Sequence, residues 1–179
     1  MPKIITVQRR EGEHDKARDY VKTYILFPSS LLGLIFMVSG GAALIYQYIS
    51  TTTYGWKTFV ETVGLLIMGG VLGWGQTRYH RYLLRDHPEF FAARMRLFRR
   101  SAHKRARKEA APAELNHPGR KLLPLAYILG IGAIVGTSAA AAMAGHTYYV
   151  AAFLLPWAGF FWAKMFFWRG LLQEGKARR

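Results

Sequence analysis

Two ionisable residues, Glu61 and Lys164, stand inside long apolar stretches, where chemistry would most need them. Ionisable side chains at membrane depth are rare and often mark ion or substrate pathways. Glu61 follows Lys57 by one helical turn, and this spacing predicts an ion pair, with proton or ion handling by the carboxylate as the functional alternative. Lys164 precedes Trp168 by one turn and is expected to reach the headgroup layer, with no chemistry assigned to it.

The six histidines, at positions 14, 80, 87, 103, 117 and 146, lie away from the middle of any apolar stretch. No pair has the spacing of a membrane haem or a zinc site, so no metal site is expected. His80 and His146 are the two histidines placed to ligate a pigment metal. Trp157, Phe160 and Phe161 fall midway along the last apolar stretch. Their rings suit lipid, another subunit, or a flat apolar cofactor on that helix: a bound lipid, quinone, carotenoid or chlorin. None of these is assigned firmly. The chain has no cysteine, P-loop, dinucleotide fingerprint, HExxH, nucleophile elbow or Mg²⁺-holding acidic cluster. Catalytic residues are therefore not assigned, and the chain is not expected to be an enzyme.

Small residues offer a different kind of function. Gly132, Gly136, Ala140 and Ala144 recur at every fourth position, as do Gly69 and Gly73. In lipid, helices associate where small side chains let backbones approach, so both ladders are expected to be helix-docking faces.

The elements that would carry these residues follow from charge and hydropathy. Residues 24–77 hold only Lys57 and Glu61 among charged side chains, and residues 122–168 hold only Lys164. A spanning helix needs about 20 predominantly apolar residues. Four stretches qualify, at 29–49, 58–77, 122–145 and 147–168, and none has a continuous polar stripe. Pro28 is expected to break or kink the chain ahead of the first span. The fold expected is an all-α integral membrane protein, a single domain over 1–179 with four transmembrane helices as two hairpins. The segment 1–28, the loop 78–121 and the tail 169–179 carry 23 of the 25 basic residues, whereas the two short connections carry only Lys57. The positive-inside rule then places both termini and the central loop on the cytoplasmic side, an N-in/C-in topology in a bacterial inner membrane. No cleavable signal peptide is expected.

The run RLFRRSAHKRARK, from Arg96 to Lys108, accounts for much of the formal net charge of +15. Between two spans such a run reads as a topology determinant that meets anionic lipid headgroups. Nucleic acid is not expected as a partner, because no recognition motif accompanies the charge. Asp86, Pro88 and Glu89 have the pattern of a helix start, and the segment 89–108 is predicted to form a basic amphipathic helix in the cytoplasmic loop. Phe91, Met95 and Phe98 share one side of it, expected to be buried against the membrane surface or a partner, and Arg96, Arg99 and Arg100 lie around the other, turned to phosphates or acidic partner residues. At the N-terminus, Ala17, Tyr20, Val21 and Tyr24 share a helical face.

These features point to a non-catalytic accessory subunit of a larger membrane complex, in a respiratory or photosynthetic (electron-transport) assembly, with other membrane subunits as partners. The alternatives are a small oligomeric transporter or channel, and a membrane-anchored binder of anionic lipid or nucleic acid.

Overall fold

The computed structural model describes residues 15–88, 90–92, 94 and 122–174. All regular structure among them is helical, and four helices are long and apolar enough to cross a membrane. They are α1 (Asp15–Ser50), α2 (Trp56–Asp86), α3 (Leu123–Ala144) and α4 (Tyr149–Glu174). Short connections join α1 to α2 and α3 to α4, giving the two hairpins.

Pro28 does not end α1. The turn before it, Val21–Leu26, is π-helical, and the Phe27 N–H donates to the Lys22 carbonyl. A proline inside a helix clashes with the carbonyl four residues back and gives it no donor. A one-residue register shift just upstream absorbs that conflict, so the helix passes through. Pro124 sits in the first turn of α3, where a missing N–H costs nothing. Gly145 closes α3 in the left-handed conformation (φ 74°), its N–H donating to the Ala142 carbonyl at 3.3 Å.

Side chains are distributed inside out. From Phe27 onward the buried residues of α1 are Ser29, Gly33, Gly40, Ala43 and Gln47, all small except the last. Those of α2 include Thr58, Thr62, Gly69, Gly73 and Thr77 on one face. Leu34, Val38, Ile45, Ile67 and Ile128 are exposed. Water would not tolerate so much contiguous apolar surface, whereas a bilayer solvates it; this distribution is that of an integral membrane protein. Buried hydroxyls close on their own helices: Thr77 donates to the Gly73 carbonyl at 2.8 Å and Ser138 to that of Ile134 at 2.8 Å.

Packing divides the chain into two compact units, Met1–Phe27 with Arg78–Arg120, and Pro28–Thr77 with Lys121–Arg179. In the first, Ala17, Tyr20 and Val21 are buried, and the Tyr20 ring lies 5.1 Å from Tyr24 and 5.8 Å from Phe91. Asp86 is the last residue of α2, and its Oδ1 accepts from the Arg85 Nε at 3.0 Å. Of the expected helix 89–108, residues 90–92 and 94 are helical, and Arg94 lies 4.4 Å from the Phe90 ring. The rest of that segment, including Met95, Arg96, Phe98, Arg99 and Arg100, lies outside the described residues.

The second unit is built around α4. Gly33 and Gly40 of α1 admit Phe161 and Leu155, with a β-carbon at each glycine 3.4 Å from the Phe161 Cβ and 3.1 Å from the Leu155 Cδ2. Gly69 and Gly73 of α2 admit the backbone of α4 at Pro156 and Phe160, and Gly159 reciprocates against Leu66 and Gly70. Ala141 and Ala142 of α3 pack on a cluster that includes Ala151 and Ala152.

Candidate functional site

The two hairpins are tied together at the end that bears their short connections. Gln47, 2% exposed, comes from the last turn of α1. Its Nε2 donates to the His146 carbonyl at 2.7 Å, and its Oε1 accepts from the Tyr148 N–H at 2.9 Å. One amide side chain thus behaves as a strand of backbone toward the α3–α4 turn. Thr58, fully buried, donates to the same His146 carbonyl at 2.8 Å. Gly145 makes this possible, because its left-handed conformation turns the chain so that the next carbonyl faces α1 and α2.

Glu61 belongs to this clamp. Its Oε2 accepts from the Thr147 hydroxyl at 2.8 Å, and its Oε1 lies 3.0 Å from His146 Nδ1. The histidine contact is within ion-pair distance but is not aligned as a hydrogen bond. The ion pair expected between Glu61 and Lys57 is not formed; the carboxylate turns to the α3–α4 connection, and Lys57 is exposed. Beside the clamp, Tyr148 donates to the Tyr149 hydroxyl at 3.2 Å, which holds the Tyr148 phenol above its ordinary range.

Directly below Glu61 the hairpins part. An open groove of about 350 Å³ is lined by Glu61, Gly64 and Met68 of α2 and by Thr137, Ala140 and Ala144 of α3. Thr137 donates to the Ala133 carbonyl at 2.7 Å, so its hydroxyl is spent on its own helix. Among the described residues, Glu61 is the one charged group lining the groove.

The two small-residue ladders have different surroundings. Gly69 and Gly73 are closed against α4. A β-carbon on Gly132 or Gly136 meets nothing within 4 Å, and Ala140 and Ala144 form the groove wall. Among the described residues, nothing covers the Gly132 and Gly136 positions.

The three mid-span aromatics of α4 are gathered. Trp157 lies 6.2 Å from Phe160 and 6.3 Å from Phe161, and Phe36 of α1 lies 5.7 Å from Phe161. Lys164 joins them. Its Nζ sits 5.1 Å above the Phe160 ring and 5.8 Å from that of Phe161, in the preceding turn rather than extended toward Trp168. Helical side chains lean toward the N-terminus, and two ring faces are there to receive the ammonium. His80 lies edge-on to Phe91 at 6.2 Å, and His146 enters the clamp through its backbone carbonyl, with its ring Nδ1 3.0 Å from Glu61. Among the described residues no three His, Cys, Asp or Glu side chains gather as a metal site.

Comparison with family models, with curated proteins and with solved structures finds no match. The site must be read from its own chemistry.

Gln47 and the Pro156–Gly159 segment were not singled out from sequence. The signals were a lone amide near the end of an apolar stretch, and a glycine at position 159 able to complement those at 69 and 73.

Proposed function

We propose that the chain is an accessory subunit of a larger membrane complex, with no active site of its own, docking through the open face of α3. The observation that carries this reading is the contrast between its glycine pairs. Those at 69 and 73 are filled by α4, while those at 132 and 136, with the same spacing on a more apolar helix, are unfilled. In lipid there is no hydrophobic drive between helices, so a flat face of small residues favours another helix, which packs against it more closely than mobile acyl chains do.

The distribution of basic residues supports placing both termini and the loop 78–121 on the cytoplasmic side of a bacterial inner membrane. The basic stretch from Arg96 onward then faces anionic headgroups or an acidic partner surface. An energy-transducing complex, respiratory or photosynthetic, is the setting proposed, and the ring cluster of α4 is a second docking surface or a seat for lipid. Purification from native membranes in a mild detergent tests the reading: stoichiometric larger subunits support it, and a chain recovered alone or only with copies of itself does not.

A further inference from the structure

We propose that the groove between α2 and α3 binds an amphiphile with an amine head, its ammonium on Glu61 and its alkyl chain along Met68 and Ala140. This goes beyond docking and needs no partner protein.

Three observations converge on it. The groove has the size of a small-ligand site, within the range of about 300–1,000 Å³ typical of such pockets. Its walls are apolar or carry hydroxyls already bonded to their own helix, and one carboxylate stands at its end. That carboxylate is fixed but not saturated. An ionised carboxylate offers about four lone-pair sites. Here one oxygen takes the Thr147 hydroxyl, and the other lies beside His146 without an aligned hydrogen bond. The clamp therefore holds the acid in place while acceptor capacity remains. A charge so placed favours a cation able to donate hydrogen bonds, and a long apolar tail matches the groove below it.

The chemistry is shared by two sources, a free alkylamine and the ethanolamine head of a phospholipid. The full-length protein in uncharged maltoside micelles is titrated with a dansylated hexanediamine, which ends in an ammonium, and with a dansylated aminohexanol, which ends in a neutral hydroxyl. The wild type is expected to bind the amine about tenfold or more tightly than the alcohol. Glu61→Gln keeps an acceptor for Thr147 and is expected to abolish that preference. Ala140→Leu narrows the groove without touching the acid and is expected to weaken both probes. Displacement of the amine probe by phosphatidylethanolamine but not by phosphatidylglycerol assigns the site to a lipid; displacement by neither assigns it to a free amine. The proposal is overturned if the wild type binds neither probe or both equally. It is also overturned if the Gln variant keeps the preference, or if Ala140→Leu leaves binding unchanged. The wild-type comparison decides the matter even if Glu61→Gln fails to fold.

Discussion

The carbonyl oxygen of Pro156 occupies the volume that a β-carbon on Gly69 would need. The same holds for the Phe160 carbonyl over Gly73 and for the Leu66 carbonyl over Gly159. These obstacles are backbone atoms and cannot rotate away, so the α2–α4 contact depends on glycine at all three positions.

Gly69→Ala should therefore destabilise the protein by about 1–3 kcal/mol, the usual cost of overpacking. Gly132→Ala meets open space and should stay within about 0.5 kcal/mol of wild type. Denaturant unfolding in detergent, followed by circular dichroism, compares the two. Equal losses would mean that α3 is packed as tightly as α2, contrary to the structure.

Gln47→Ala removes both hydrogen bonds of the amide to the α3–α4 turn at once, leaving the Tyr148 N–H and part of the His146 carbonyl without partners. A buried group left unsatisfied costs about 1–3 kcal/mol. Thermal unfolding of this variant should fall clearly below that of Tyr48→Ala, whose side chain is exposed on the same helix turn. Identical unfolding temperatures would show that the amide is dispensable.

Phe91 was expected to be buried against a membrane or partner surface; it is 2% exposed and packs against Tyr20 and His80 within its own unit. Phe91→Ala should cost about 3–5 kcal/mol, as for a buried aromatic, and should be felt in the absence of any membrane surface or partner. A variant that unfolds like wild type in detergent but releases a partner would restore the surface role.

Much of the fold was legible because hydropathy is a long-range average. Four spans and two short connections stand out whatever their contacts. Helix ends were less so: Arg78 and His80 read as loop, yet α2 continues to Asp86, because polar side chains mark a change of solvent rather than the end of a hydrogen-bonded backbone. The clamp was hidden for another reason. Local spacing suggested Lys57 for Glu61, while its partners His146 and Thr147 are more than eighty residues away. Periodicity likewise finds both glycine ladders and cannot say which is filled, since that depends on Pro156 and Gly159 arriving from another helix.

The orientation proposed from the basic residues has a direct check. Single cysteines at Ser101 and Thr52 are labelled in intact cells with an impermeant thiol reagent. Labelling at 52 but not at 101 is expected. The reverse pattern would turn the molecule over.

Docking through α3 is the central claim, and Gly136→Leu tests it most directly. The side chain projects into open space within the chain, so the variant should fold like wild type by circular dichroism and gel filtration. Against a partner helix the added bulk should separate the backbones. Tagged wild-type and Gly136→Leu proteins are purified from native membranes in parallel, and the co-purifying subunits are quantified by mass spectrometry. Larger membrane subunits are expected in fixed ratio with the wild type and are expected to be lost from the folded variant. Subunits retained in the same ratio by Gly136→Leu, or absent from both preparations, would contradict that claim.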